Sequence, residues 1–514
     1  MSRWSLAKFP FSGFHAVDAV KSHAFDAFSA VSTLFSGSAW GSPWEPSWGN
    51  AKFAFGGDSW LDRFSGSGSR ARADAPPPAK VPSADDATPA ATAAIEASLK
   101  AGAGADSGPA QPAISRSAIP QPAPVTSAEA DAGAADTEAP AAAVDDLLLG
   151  DVFRLNAAQP AGTAASVTYA FLDAVPGYYR PYDWAHDDFR AFTAQQQEMT
   201  RAALSLIESY SDLTFVETAA DAAAITFGIA DLPPGWAGYA YHPGGATVES
   251  KAADIWLDAP WAGATFTPGT GPYKTLLHEV GHAIGLDHPG APSGDADSRM
   301  YTVMSYNQHP DAAGEPQSHM LHDIAAVQNI YGANRDHGTG DDVYDLAALG
   351  NRIQTLWDAG GTDTLDLVDA PFAVALDLRQ GAFSTVAESG QNNLAIAYGT
   401  AIENAFGGAG NDTLVGNGAG NRLGGGLGDD ALTGGGGNDA FVFEADWGRD
   451  IVTDFTRGAD RLALWDTRLA FADLAIFSAG NGIRVAHDDN QITLPGVSDL
   501  AENDFLFGQT ALLA

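Results

Sequence analysis

The chain has 514 residues, with 26 Lys and Arg against 64 Asp and Glu, a formal net charge of −38 and no cysteine. Such an acidic balance disfavours nucleic acid and anionic lipid as partners and favours a multivalent cation such as Ca²⁺. The absence of cysteine excludes a disulfide framework and any latency built on a cysteine bound to a metal.

In chain order, residues 1–72 form an aromatic-rich leader or pro-segment carrying Trp4, Trp40, Trp44, Trp48 and Trp60. Within it Phe14, Val17, Val20, Ala24, Phe28, Val31 and Phe35 recur at helical spacing, a stripe better suited to core packing than to a membrane. No charged patch, compact apolar run and small-residue cleavage site open the chain, so no N-terminal signal peptide is expected. The charge-free stretch from Ala27 to Trp44 is too diluted by Ser, Gly and Pro to span a bilayer. Residues 73–144 are mostly Ala, Pro, Ser and Thr and cannot bury enough surface to fold. They read as a flexible linker, open to proteolytic removal of the leader.

Ordered patterning predicts a third unit over 145–335. Strands are expected at Ala165 to Leu172, Ala224 to Ile229, Ala237 to Tyr241 and Ile255 to Leu257, with helices at Phe189 to Tyr210, Thr275 to Ile284 and His322 to Tyr331. The result is an α/β (α+β) layout around a twisted sheet. From 336 to 514 the texture changes to Gly, Asp, Asn and short β-prone runs, which predicts an all-β domain.

The chemistry concentrates in HEVGHAIGLDH, residues 278 to 288. On a helix, His278 and His282 lie one turn apart, about 6 Å at their β-carbons, and can share one cation. Glu279 is rotated about 100° away, off the metal but within reach of a water beside it. Gly285 stops the helix and lets the chain turn, bringing His288 back as a third nitrogen ligand. Three neutral nitrogens leave one position of a tetrahedral Zn²⁺ open, as a catalytic site requires. A helix whose histidines merely pack is the bland alternative. Val303-Met304-Ser305-Tyr306 downstream disfavours it, because the long motif followed by such a turn is the metzincin signature.

A nine-residue period runs from Gly407 to Val442: GGAGNDTLV, GNGAGNRLG, GGLGDDALT, GGGGNDAFV. Asp412, Asn421, Asp430 and Asp439 stand sixth, and Leu414, Leu423, Leu432 and Phe441 eighth. This is the pattern of turns that bind Ca²⁺ between short parallel strands of a β-roll; a flexible Gly-rich linker would not keep its apolar residues in phase. Each unit should stack on the next but one. Candidate calcium ligands are therefore Gly408, Gly410, Asp412, Gly425, Leu427 and Asp430, then Asn421, Gly434, Gly436 and Asp439, with the second site weakened by the neutral Asn421.

The zinc motif, the Met-turn, DIAAVQNIYGAN (Asp323 to Asn334) and the repeat, in this order, resemble the serralysin family of secreted bacterial metalloproteases from about residue 145 onward. The resemblance implies a zinc endopeptidase domain followed by a calcium-binding β-roll. It makes His278, His282 and His288 zinc ligands, Glu279 the catalytic acid/base, Tyr306 a zinc-associated switch residue and Met304 the apolar floor. GYAYHPG (Gly238 to Gly244) is similar to the family's substrate-binding edge strand, which implies broad cleavage specificity. Further calcium ligands carried over are Gly338, Gly340, Asp342, Asp358, Gly360, Gly361, Asp363, Ala401 and Glu403. His322 stands where the family usually has Asp, with no role assigned. The resemblance also implies protein or peptide substrates, a monomer, and export to the extracellular space by a type I exporter. Asp504-Phe505-Leu506-Phe507 is similar to the family's terminal export signal. The leader and linker depart from the family's short pro-segment. A surface-layer or cell-surface protein, in which calcium-driven assembly is primary, is the rival reading.

Overall fold

The computed structural model describes residues 139–508, apart from 151–152, 181–182, 245–252, 291–295, 313, 348, 389–390 and 466. The expected leader, with its tryptophans and apolar stripe, and the linker up to residue 138 lie outside the described residues.

The linker expected through residue 144 ends earlier than that. Helix α1 (Ala141–Asp146) starts behind Pro140, a residue suited to a helix start, and Val144 and Leu147 are buried in the core beside it. A five-stranded sheet follows, made of β1 (Ala165–Phe171), β2 (Leu213–Glu217), β3 (Ile225–Ala230), β4 (Gly238–Ala240) and β5 (Asp254–Asp258), in the order β2-β1-β3-β5-β4. All pairings are parallel except β4 with β5, so the sheet ends on an antiparallel edge strand. β3 is buried along its whole length, as an interior parallel strand should be. β2 was not expected from its sequence. Of its five residues only Leu213 is buried, so the alternation that announces a strand is missing.

The long helix α2 spans Ala194–Tyr210 rather than beginning at Phe189. Residues 189–192 run extended beside β3, where Arg190 exchanges backbone hydrogen bonds with Ile229. Thr193 then opens the helix with a capping box: its hydroxyl accepts from Gln196 N, and the Gln196 side chain accepts from Thr193 N. Helix α3 (Gly271–Ala283) packs on β4 and β5, and α4 (Leu321–Tyr331) closes the unit against α1. One core joins α2, the sheet, α3 and α4, with Phe227, Ile255, Leu277, Val280 and Val327 fully buried.

Beyond α4 the chain winds into two seven-stranded sheets of mostly short parallel strands, one of them ending in an antiparallel run over residues 475–495, with a separate three-stranded sheet beside them. Thr364–Asp366, Asn404–Phe406, Arg422–Gly424, Ala440–Phe443 and Arg461–Leu464 stack in one, and Ala375–Asp377, Thr413–Val415, Ala431–Thr433 and Arg449–Val452 in the other. The register pairs Thr413 with Ala431 and Arg422 with Ala440, so each unit rests on the next but one. Leu414, Leu423, Leu432 and Phe441 are fully buried between the sheets. At about 1.5–3 kcal/mol for each large apolar side chain, these four are a main source of the roll's cohesion. The architecture is thus an α/β unit followed by a parallel β-roll. The Asp504 to Phe507 segment is part of the roll: Phe505–Phe507 extends the first sheet beside Arg461–Leu464, and buried Asp504 pairs with Arg457 at 3.1 Å.

Candidate active site and metal centres

α3 begins four residues before Thr275 and carries His278 and His282 with ring centroids 4.8 Å apart. Its end is set by Gly285, whose φ of +110° suits glycine, and a β-carbon there would lie 2.8 Å from the Phe153 carbonyl. The turn brings His288 back, with its Nε2 at 3.2 Å from His278 Nε2 and 3.1 Å from His282 Nε2. Nitrogens about 2.0–2.1 Å from a tetrahedral ion are about 3.3 Å from one another, so the three converge as ligands of one zinc would. The opposite ring nitrogens are held as well. His278 Nδ1 donates to Val303 O and His282 Nδ1 to Leu286 O, both at 2.9 Å, which leaves each Nε2 lone pair free for a metal. Burial lowers the imidazole pKa values, His278 to about 3 and His282 well below the ordinary value, so the donors are neutral at pH 7.

Glu279 is buried, and that burial raises its carboxyl to about 8 while Lys274 and a backbone bond from Ala240 oppose the rise. Its room comes from Gly238 on the edge strand, where a β-carbon would sit 2.5 Å from Glu279 Oε1. The Tyr306 hydroxyl is 2.8 Å from His288 Nε2 on an exposed side chain, and Arg299, paired with Glu315 at 2.9 Å, donates to the Tyr306 carbonyl. Met304 is fully buried beneath α3, with its sulfur 2.6 Å from where Gly281 would carry a β-carbon.

Sequence reasoning missed two neighbours. Asp287 accepts from His288 N at 2.8 Å and stands 3.7 Å from His288 Nδ1. His242, just past the edge strand, lies with its ring centroid 5.1 Å from that of His282. Both lay inside segments the sequence had singled out, Asp287 in the histidine motif and His242 in GYAYHPG, but 40 residues separate His242 from His282 and no spacing rule brings the two together. His322, left without a role above, stacks on Tyr301 at 4.9 Å and 26°, and Tyr301 meets Phe383 of the following domain edge-on. It is a packing residue.

In the roll, Asp342, Asp358 and Asp363 bring carboxylate oxygens within 4.8 Å of one another. Asp358 and Asp363 are fully buried; Gly360 N donates to Asp358, Asp342 N to Asp363 and Asp363 N to Glu403, each at 2.8 Å. Asp363 Oδ2 has no partner, and burial raises Asp363 to about 8 and Glu403 to about 7. Such buried, uncompensated oxygens fit a hard cation. Gly338 packs against Asp358, Gly361 against the Gly340 carbonyl, and Ala401 lies half-buried two residues before Glu403.

The repeat shows the same logic. Asp412 N donates to Asp430 Oδ1 and Asn421 N to Asp439 Oδ1, both at 2.8 Å, while Asp430 Oδ2 is buried without a partner. Only glycine fits at Gly425 and Gly434, where a β-carbon would strike Asp430 and Asp439. The Gly408 carbonyl takes Leu427 N, and the Asn417 carbonyl takes Gly436 N, at 2.8 Å. Gly410 packs on the Ala373 backbone. The acid stacks continue past the fourth unit, with Asp430 N on Asp450 Oδ1 at 2.9 Å and Asp439 N on Asp460 Oδ1 at 3.0 Å. These two escaped the nine-residue period because the step lengthens from 18 residues to 20 and 21.

Two family models match: Matrixin over residues 182–332 and the serralysin C-terminal domain of the M10 peptidases over 322–493. Serralysin G of Dickeya chrysanthemi is 33% identical over 358 residues, covering 59% of this chain and 73% of that protein. The chain belongs to the serralysin family. Serralysin of Photorhabdus sp. (strain Az29) and metalloprotease AprA of Pseudomonas entomophila (strain L48) are each 33% identical, over 53% and 50% of this chain. The chain spans about 60% of the length of these two relatives, 62% and 60%. Catalytic zinc and structural calcium are the cofactors of serralysins, and the two donor sets described above have the chemistry for them. Among the described residues no helix is long and apolar enough to cross a membrane.

Proposed function

We propose that the chain is a secreted zinc endopeptidase of broad specificity whose roll is folded by calcium. The observation that carries this reading is the convergence of three neutral imidazole nitrogens beside a buried Glu279 and the Tyr306 hydroxyl. His278, His282 and His288 would hold the zinc, which when bound polarises a peptide carbonyl and acidifies a water. Glu279, its ionised form favoured by the cation beside it against the effect of burial, would then take the proton of the attacking water and deliver it to the leaving nitrogen. The Tyr306 hydroxyl donates to the carbonyl oxygen as negative charge grows on it. Among the described residues β4 is the last strand of its sheet, so a peptide could add beside it antiparallel through backbone hydrogen bonds. Recognition through backbone tolerates many side chains, which is the physical basis for broad specificity.

Protein or peptide substrates, a monomeric state and passage through a type I exporter belong to the same reading. Asp342, Asp358, Asp363 and Glu403, with the repeat acids, would hold calcium, which is scarce in the cytosol and abundant outside. The roll would therefore gain most of its stability only after export. A casein zymogram tests the activity: wild type should clear the gel, and Glu279→Ala, with its zinc content measured and unchanged, should not. Equal clearing by the variant sinks the reading.

A further inference from the structure

We propose that Asp323 is a positioning residue for the zinc centre, acting through residues 302–304 without touching the metal; this rests on the reading of His278 as a zinc ligand. Asp323 lies in the first turn of α4 and is fully buried. Its carboxylate accepts three hydrogen bonds: from Thr302 Oγ1 at 2.6 Å, Val303 N at 2.7 Å and Met320 N at 2.9 Å. Thr302 Oγ1 accepts in turn from Met304 N at 3.0 Å. A single carboxylate thus holds three successive residues of the Met-turn and ties them to the start of α4.

Two of those residues meet the zinc centre directly. The Val303 carbonyl accepts from His278 Nδ1, which orients the ring and keeps its proton on the side away from the metal. Met304 fills the space under Gly281, between the two histidines of α3. The three ligands differ in what secures them. His282 uses Leu286 O, four residues away on the same turn, and His288 has Asp287 as its immediate neighbour. His278 depends on a carbonyl 25 residues distant, on a segment with no regular secondary structure. That carbonyl can be a rigid acceptor only if something else fixes the turn, and Asp323 is the buried group that grips Val303 from its other side.

The test uses the full chain with calcium present and measures zinc affinity by competition with a chelator, together with the visible absorption bands of the cobalt(II)-substituted protein. Asp323→Asn keeps the shape but cannot satisfy all three donors as an acceptor. It should weaken zinc about 10- to 100-fold and shift the cobalt bands. His322→Ala, which removes buried packing from the same helix turn, should lower the melting temperature yet leave zinc affinity within about twofold. If Asp323→Asn does not fold, Thr302→Val replaces it: it removes one grip on the turn and should weaken zinc several-fold with the same spectral shift. Unchanged zinc affinity and cobalt bands in whichever of these two variants folds overturn the proposal, as does an equal loss of affinity in His322→Ala. Because zinc binding is read apart from proteolysis, a wild type that binds zinc but cleaves nothing would defeat the endopeptidase reading and leave this result standing.

Discussion

The zinc centre and the calcium roll solve opposite electrostatic problems. At the zinc centre the donors are neutral imidazoles, and the Nδ1 protons of His278 and His282 are engaged by backbone carbonyls, so most of the site is held by hydrogen bonds before any ion arrives. In the roll the donors are buried carboxylates, and Asp363 Oδ2 and Asp430 Oδ2 have no partner. Burying an uncompensated charge costs several kcal/mol even after relaxation. The first region is arranged for a metal, whereas the second leaves buried carboxylate oxygens that a bound cation would compensate.

The largest expected effect follows from that contrast. Removing calcium should lower the roll's stability sharply, seen as a large drop in its urea midpoint by circular dichroism and as faster proteolysis, whereas removing zinc alone with calcium kept should leave that midpoint nearly unchanged. Equal sensitivity to the two metals breaks the comparison. A pH series in chelator sharpens it. Burial raises Asp363 and Asp450 to about 8, Glu403 and Asp439 to about 7 and Asp430 to about 6. Unfolded carboxyls titrate near 4, so between about pH 4 and 8 the folded state binds more protons than the unfolded state. Stability is then greatest below about pH 4 to 5 and is lost as pH rises through 6 to 8. The urea midpoint of the calcium-free roll should fall from pH 5 to pH 8. With calcium present the trend should reverse, since deprotonation improves the ligands. A calcium-free midpoint that rises with pH contradicts the buried-acid account.

At the zinc centre single changes should act on rate and leave the fold intact. Glu279→Ala removes the proton carrier and is expected to lower kcat about 10²- to 10⁴-fold with zinc retained. Tyr306→Phe removes one hydrogen-bond donor and should lower kcat about 10²- to 10³-fold with KM nearly unchanged. A large rise in KM from Tyr306→Phe would instead make the hydroxyl a substrate-binding group.

What could be read in the sequence followed the same division. The histidine cluster beside Glu279 and the roll's core residues were legible because each rests on a short period: one helix turn for His278 and His282, nine residues for Leu414 to Phe441. β2 was not, because an edge strand burying only Leu213 leaves no alternation. The start of α2 was misplaced because apolar residues 189 and 192 fit a helical period while tertiary pairing with β3 holds them extended. Asp450 and Asp460 were lost when the period lengthened. Asp323 gave no sign of its grip on Val303, since a contact across 20 residues has no local spacing rule.

The smallest predicted effect concerns a rung of the roll that behaves like the zinc centre. Sequence reasoning took Asn421 to weaken a calcium site by removing one charge. Its side chain has a further role: Nδ2 donates to Glu403 O at 3.1 Å and to Asn417 Oδ1 at 3.0 Å, and Asn417 Nδ2 donates to Ile402 O at 2.8 Å. Amide hydrogens here face the carbonyls of the preceding turn, where in an acidic rung only a cation could, so this rung is satisfied without an ion. Asn421→Asp turns that donor into an acceptor facing two oxygens. In chelator it should destabilise the roll by about 1–3 kcal/mol, the cost of leaving buried acceptors unpaired, and in millimolar calcium by less, because a cation can then replace the lost hydrogens. Urea unfolding followed by circular dichroism with and without calcium measures both numbers. Equal losses in the two conditions would mean that the amides are incidental to how the roll holds itself together.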